Sequence, residues 1–378
     1  MISSAASIDI SAQKAKNIRR FDYIDALRGF AIFLVIVCHT YQVAMPVYIK
    51  PLSMLASMGA RGVQLFFLIS AFTLYYSKTK RTSQGETSYK SFYIRRYFRL
   101  APMYYLGIIY FIFQGTIAST FWIDENLGVT FWNTLSNLFF INSISPFWIN
   151  SIVPGGWSIS VEFIFYLLFP FIFSKVKSLA SSINLLIICF VFQILAGTLL
   201  KIYPLVAESQ LWNDFLFHYL PNQLPVFCLG IIAFHIIFKS DYDIKKVNKF
   251  LICLVLIFLI TLWKYITLHH FLVSIGFFLL MILLSKRRLK LFVNRLSVYL
   301  GKVSYSAYLL HFVILFFMGR LGWMKLFDSD DYLVSLLNFS IILIITTFVT
   351  VAIATITYKY IEKPFIRLGK RFILKLNN

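Results

Sequence analysis

Charge is scarce in this 378-residue chain, where Asp, Glu, Lys and Arg make up 13% of residues. A soluble domain carries about 25%, so an ordinary water-soluble fold is excluded. Acid is scarcer than base: 15 Asp and Glu stand against 36 Lys and Arg, for a net charge of +21. The four cysteines, Cys38, Cys189, Cys228 and Cys253, all fall in apolar stretches without metal-ligand spacing. That excludes a zinc-type cluster and a disulfide scaffold. The first twenty residues, MISSAASIDISAQKAKNIRR, lack the apolar core of a cleaved signal peptide, so the first apolar run is expected to stay in the mature chain. No internal repeat is evident, and the tail beyond Tyr360 is too short to build a core of its own.

What the chain has instead is apolar length. Hydrophobic residues account for 59% of it, and runs of 17 or more recur throughout, the mark of a polytopic membrane protein. The expected fold is an all-α membrane helical bundle of about ten transmembrane helices, at 24–45, 59–77, 100–118, 157–174, 181–200, 218–238, 249–267, 269–285, 297–319 and 333–357. The tight TLHH turn between the seventh and eighth leaves one long kinked helix as an alternative there. The basic residues cluster between apolar runs, the pattern of cytoplasmic loops and not of a nucleic-acid surface. With the N-terminus inside, only Lys50, Arg61, Lys201, Lys264, Arg320 and Lys325 fall outside, leaving 30 of the 36 basic residues inside. Both termini are therefore expected in the cytoplasm. The 119–156 connection contains FWNTLSNLFF, read as a short interfacial or re-entrant helix.

Few residues in these runs could carry chemistry. Arg28 and His39 lie eleven residues apart in the first run, YIDALRGFAIFLVIVCHTY. On a helix they share one face about 16 Å apart. Of the carboxylates, only Glu162, in WSISVEFIFYLLFP, lies well inside an apolar run. An intramembrane carboxylate should face protein or a water-filled cavity. Counted from the span ends, Glu162 and His39 reach matching depth, so Glu162 is expected to orient the His39 imidazole. His311, in SYSAYLLHF, reaches a similar level, but alone it reads as a packing hydrogen bond. In FYIRRYFRLAPMYY, Arg95, Arg96 and Arg99 form one cationic face suited to phosphate; an anionic-lipid anchor is the alternative. His218, His235, His269 and His270 receive no role. Trp122, Trp132 and Trp148 suit an interfacial belt better than sugar stacking.

At this point a family resemblance emerges. DALRGFAIFLVIVCH, GVQLFFLISAF, RRYFRLAPMYY, WSISVEFIFYLLFP, GKVSYSAYLLHF and IEKPFIR, in that order, resemble the motifs of the acyltransferase-3 family of integral membrane acyltransferases. The resemblance runs from about Asp25 to Arg367. It implies an enzyme of the bacterial cytoplasmic membrane that takes an acyl group, most often acetyl, from cytoplasmic acyl-coenzyme A. The group passes to a hydroxyl of an envelope polysaccharide or glycolipid. The family's essential Arg and His map onto Arg28 and His39, its Arg cluster onto Arg95, Arg96 and Arg99, and its acidic residue onto Glu162. Acetyl-CoA is then donor substrate, no metal is needed, and a surface glycan or lipid-linked saccharide is acceptor.

Two positions depart from the family pattern. Ala71 replaces a Gly, and Phe163 replaces a second acidic residue. Some members carry a fused extracellular hydrolase-like domain. Here residues 1–20 read as a cytoplasmic segment, 21–367 as the membrane acyltransferase domain and 368–378 as a cytoplasmic tail, so one active centre must suffice or a partner helps. The competing expectation is a proton-coupled glycolipid transporter or flippase, which buried His and Glu would also suit.

Overall fold

The computed structural model describes residues 21–44, 50–114, 129–239, 269–327 and 331–377. Two expected segments therefore lie wholly outside the described residues, the N-terminal segment 1–20 and the span at 249–267. So do Trp122, Cys253 and Lys264. The described elements are helical, with no strand among them. They are α1 (Asp22–Ala44), α2 (Lys50–Met58), α3 (Gly62–Ser83), α4 (Tyr89–Gln114), α5 (Phe131–Leu138), α6 (Gly156–Lys175), α7 (Leu179–Ile202), α8 (Ser209–His218), α9 (Leu220–Lys239), α10 (His269–Lys286), α11 (Arg295–Lys302), α12 (Ser304–Arg320), α13 (Tyr332–Thr357) and α14 (Lys363–Asn377).

Among the described residues, six helical stretches are long and apolar enough to cross a membrane, or seven if α11 and α12 count as one span. The expected 297–319 span is thus a broken one. It bends by 81° between α11 and α12, where Val303 separates the two helices. Of the expected 100–118 span, residues 100–114 are the second half of α4, which begins at Tyr89 because the Arg-rich segment continues the same helix, and 115–118 lie outside the described residues. Helix α4 is not among the six.

Helix α1 is the axis of the bundle. Its Ile32, Val35 and Ile36 are fully buried, and α3, α11, α12 and α13 pack around it. Small residues permit the closest crossing. A Cβ at Gly29 would lie 2.1 Å from the Ser297 carbonyl oxygen, and one at Gly301 would lie 1.7 Å from that of Asp25. The two backbones touch, as in small-residue helix crossings. Gly301→Ala is expected to push α11 off α1 and cost about 1–3 kcal/mol through overpacking. Thermal unfolding in detergent measures this, and a melting temperature equal to wild type would contradict the crossing.

The FWNTLSNLFF stretch forms α5, with a polar side turned inward. Asn133, Ser136 and Asn137 are buried while Phe131 and Trp132 are exposed. The Tyr104 hydroxyl donates to Asn137 Oδ1 at 2.8 Å. The Ser160 hydroxyl donates to the Phe140 carbonyl at 2.9 Å. These bonds knit 131–155 onto α4 and α6. The connection ends at Gly155, whose φ of +73° suits glycine and turns the chain into α6.

Candidate functional site

Two cavities lie along α12, one toward its start at Ser304–Tyr308 and one toward its end at Phe312–Arg320. The first, about 70 Å³, is lined by Arg28 of α1, Ser70 of α3, Arg96 and Arg99 of α4, Ser158 and Glu162 of α6, and Tyr305 and Tyr308 of α12. Three guanidinium groups and one carboxylate line it. Glu162 accepts hydrogen bonds from the Ser70 and Tyr166 hydroxyls, and its charge acts on Arg28, Arg96 and Arg99. Arg96 lies over the rings of Phe92 and Tyr166, 5.7 and 5.5 Å from their centroids. Arg28 pairs with Asp25 one turn earlier at 3.1 Å. A second buried carboxylate backs the group. Glu362 accepts from the Ser306 backbone N–H at 3.1 Å and from its hydroxyl, and its charge reaches Arg99.

The second cavity, about 360 Å³, is lined mainly by apolar side chains, with His39, Gln42, Gln114, Asn150 and Arg320 as its polar members. Phe312 also lines it and packs on His39 with ring centroids 4.5 Å apart. Between the cavities stands Tyr308, whose hydroxyl lies 2.9 Å from Ser158 Oγ and whose ring lies 5.8 Å from that of His311.

His39 Nδ1 lies 3.0 Å from His311 Nε2. His311 Nδ1 in turn lies 3.3 Å from the Ala307 carbonyl oxygen. A carbonyl only accepts, so His311 carries its proton on Nδ1. In the neutral ring Nε2 then accepts. His39 must therefore donate from Nδ1, which leaves the lone pair of His39 on Nε2. This hydrogen-bond logic assigns the tautomer, and it makes Nε2 the nitrogen able to act as base or nucleophile.

Two expectations are corrected here. Glu162 does not orient His39, because its carboxylate is turned to Ser70, Tyr166 and the arginines. Matching depth along two helices does not set the direction in which each side chain points. The partner of His39 is His311, brought in by α12 after the bend at Val303. Nor do Arg95, Arg96 and Arg99 act as one group. Arg96 and Arg99 line the cavity, whereas Arg95 pairs with Glu86 at 2.6 Å, in the loop before α4. Burial would raise the Glu86 carboxyl, but hydrogen bonds from Arg81 and Arg95 and their charges bring it below its ordinary range. Arg28 and His39 sit at different cavities, Arg28 with the arginines and His39 in the larger, apolar one. Sequence reasoning missed Glu362 and Tyr308, and placed His311 at the level of His39 but read it as a packing hydrogen bond. The three-residue spacing of Tyr308 and His311, one helix face, was the available signal.

A family model described as an acyltransferase domain matches residues 21–359. The chain is similar to a Staphylococcus aureus (strain COL) protein provisionally named an O-acetyltransferase, 26% identical over 395 residues, which cover 94% of this chain and 59% of that one. It is also similar to the acyltransferase MdmB of Streptomyces mycarofaciens, 28% identical over 168 residues, covering 42% of this chain and 41% of that one. The chain thus spans 59% of the length of the staphylococcal relative.

Proposed function

The chain belongs to the acyltransferase family whose model spans residues 21–359, and from that premise we propose that it moves an acyl group, acetyl in the first instance, from acyl-coenzyme A to a hydroxyl of an envelope polysaccharide or glycolipid. The setting is the bacterial cytoplasmic membrane. The observation that carries this reading is the placement of the His39–His311 pair beside the larger cavity, with Tyr308 and the arginine-lined cavity behind it.

Arg28, Arg96 and Arg99 suit the anionic part of the donor, since guanidinium groups bind phosphate oxygens bidentately. The larger, mainly apolar cavity suits the acceptor, with Gln42 and Asn150 as hydrogen-bonding groups for its hydroxyls. His39 Nε2 takes the proton of the acceptor hydroxyl, and that oxygen attacks the thioester carbonyl. The C–S bond breaks, the ester forms, and the imidazolium returns its proton to the leaving thiolate. In the covalent variant Nε2 itself attacks, the C–S bond breaks and releases the thiolate, and the acyl group rests on the imidazole; the acceptor hydroxyl then displaces it, breaking the C–N bond and passing its proton to the thiolate. His311 keeps the lone pair on Nε2 along either route.

Turnover of acetyl-coenzyme A by the purified protein with envelope acceptor tests the reading, with acetylated product read by mass spectrometry. Absence of turnover with acceptor present would leave a transporter or flippase as the better account. Labelled acetyl retained without acceptor, and lost in His39→Ala, selects the covalent route.

His311 has its own expected outcome. His311→Phe removes the acceptor for the His39 Nδ1 proton and frees the ring to hold the wrong tautomer. We expect kcat to fall about 100-fold with donor KM little changed. Part of the rate should return in His311→Gln, whose amide oxygen can accept. A Phe variant as fast as wild type would remove His311 from the mechanism.

A further inference from the structure

A third cavity lies apart from both of these, at the end of the bundle where α3, α6 and α9 finish. Its volume is about 330 Å³. On α3 the lining of the arginine cavity ends at Thr73 and that of this one begins at Tyr75, and no residue lines both.

Its chemistry is unspent. His235 and Tyr75 line it and are each 1% exposed. Among the described residues, neither ring nitrogen of His235 nor the Tyr75 hydroxyl has a hydrogen-bond partner. A buried polar group left so is costly, and a buried group without a partner calls for a reason. Two lysines stand at the same cavity, Lys177 just past α6 and Lys239 at the end of α9. Lys239 Nζ donates to the Lys177 carbonyl at 3.3 Å, so the two meet. Partial desolvation and the charge of Lys239 hold the Lys177 ammonium below its ordinary range. No acidic residue is among the described side chains that line the cavity.

We propose that this cavity binds a phosphate group through Lys177, Lys239, His235 and Tyr75. A carboxylate offers two oxygens, whereas two ammonium groups, an imidazole, a phenol and the hydroxyls of the last turns of α3 call for more acceptors than that. A phosphate monoester carries three terminal oxygens and up to two negative charges. Phe173 and Phe234, also at the cavity, give an apolar wall for the remainder of the molecule that bears it. The phosphate can arrive on a membrane lipid or free in solution. The site does not depend on the acyl-transfer reading, because none of its four ligating residues takes part in that chemistry.

The test uses the full chain in phosphatidylcholine nanodiscs. Phosphatidic acid is offered as the lipid-borne source and inorganic phosphate as the soluble one. Native mass spectrometry reads the retained lipid, and line broadening of the phosphorus resonance reads the free ion. The wild type is expected to retain phosphatidic acid at least tenfold over phosphatidylcholine, or to broaden the free-phosphate line. Lys177→Gln with Lys239→Gln, both exposed positions that fold should tolerate, is expected to lose that signal by tenfold or more, as is His235→Phe. Displacement of the lipid by inorganic phosphate identifies the headgroup alone as the ligand; persistence of the lipid shows that the apolar wall contributes. Equal retention by wild type and both variants overturns the proposal, and so does the lack of any phosphate-dependent signal in the wild type.

Discussion

Replacing His39 by Ala is expected to abolish acyl transfer, with kcat falling by about 10²–10⁴-fold if His39 is a general base and further if it carries the acyl group. The tautomer argument is the reason for so large a loss. His39 is the histidine that lines the larger cavity, and its Nδ1 is held by His311, so the reacting lone pair has a single location. His311 cannot substitute, because its Nδ1 proton is committed to the Ala307 carbonyl and its Nε2 faces His39. His39→Gln serves as the control for shape. It keeps an amide near the ring position but has no basic nitrogen, so it should elute as a folded protein and remain inactive. Transfer at the wild-type rate by either variant would sink the assignment.

The second large effect is expected at the arginine cavity. A hydrogen bond to a charged group contributes about 1.5–3 kcal/mol, so Arg96→Gln with Arg99→Gln should weaken donor binding by about 3–6 kcal/mol. At about 1.4 kcal/mol per decade that is roughly 10²–10⁴-fold in the Kd of acetyl-coenzyme A by calorimetry, with acceptor binding little changed. Arg95→Gln is the discriminating control. Its guanidinium is engaged by Glu86 outside the cavity, so its effect should be far smaller. Equal losses for Arg95 and Arg99 would restore the single cationic face read from the sequence and contradict the cavity geometry. Thermal unfolding should accompany each measurement, because Glu162 and Glu362 lose compensating charge when Arg99 is removed.

The site was partly legible before the fold was known, and the boundary has a physical cause. Arg28, His39, Glu162, Arg96 and Arg99 all stood out as polar groups in apolar surroundings, where their cost invites explanation. The helices also stood out, since α1, α6, α7 and α13 follow the expected runs to within a few residues. Glu362 was hidden because it lies past the apolar run of α13, where a carboxylate looks ordinary. It becomes buried only because the helix continues through a wide turn at Tyr358–Glu362 into α14 and sets the carboxylate against Ser306. The third cavity, with His235, was hidden as well, since three chain segments far apart in sequence supply its lining.

By itself, then, the sequence determined that this is a helical chain with membrane-length apolar runs, which residues are costly within them, and how far along its own helix each one sits. Those properties follow from local rise and periodicity. The tertiary structure alone decided which of those residues meet. The bend at Val303 and the glycine crossing of Gly29 and Gly301 set the rotation and approach of α12 and α11 against α1. That rotation gave His39 to His311 and left Glu162 to the arginines, because the facing of one helix toward another depends on packing between segments that no local pattern records.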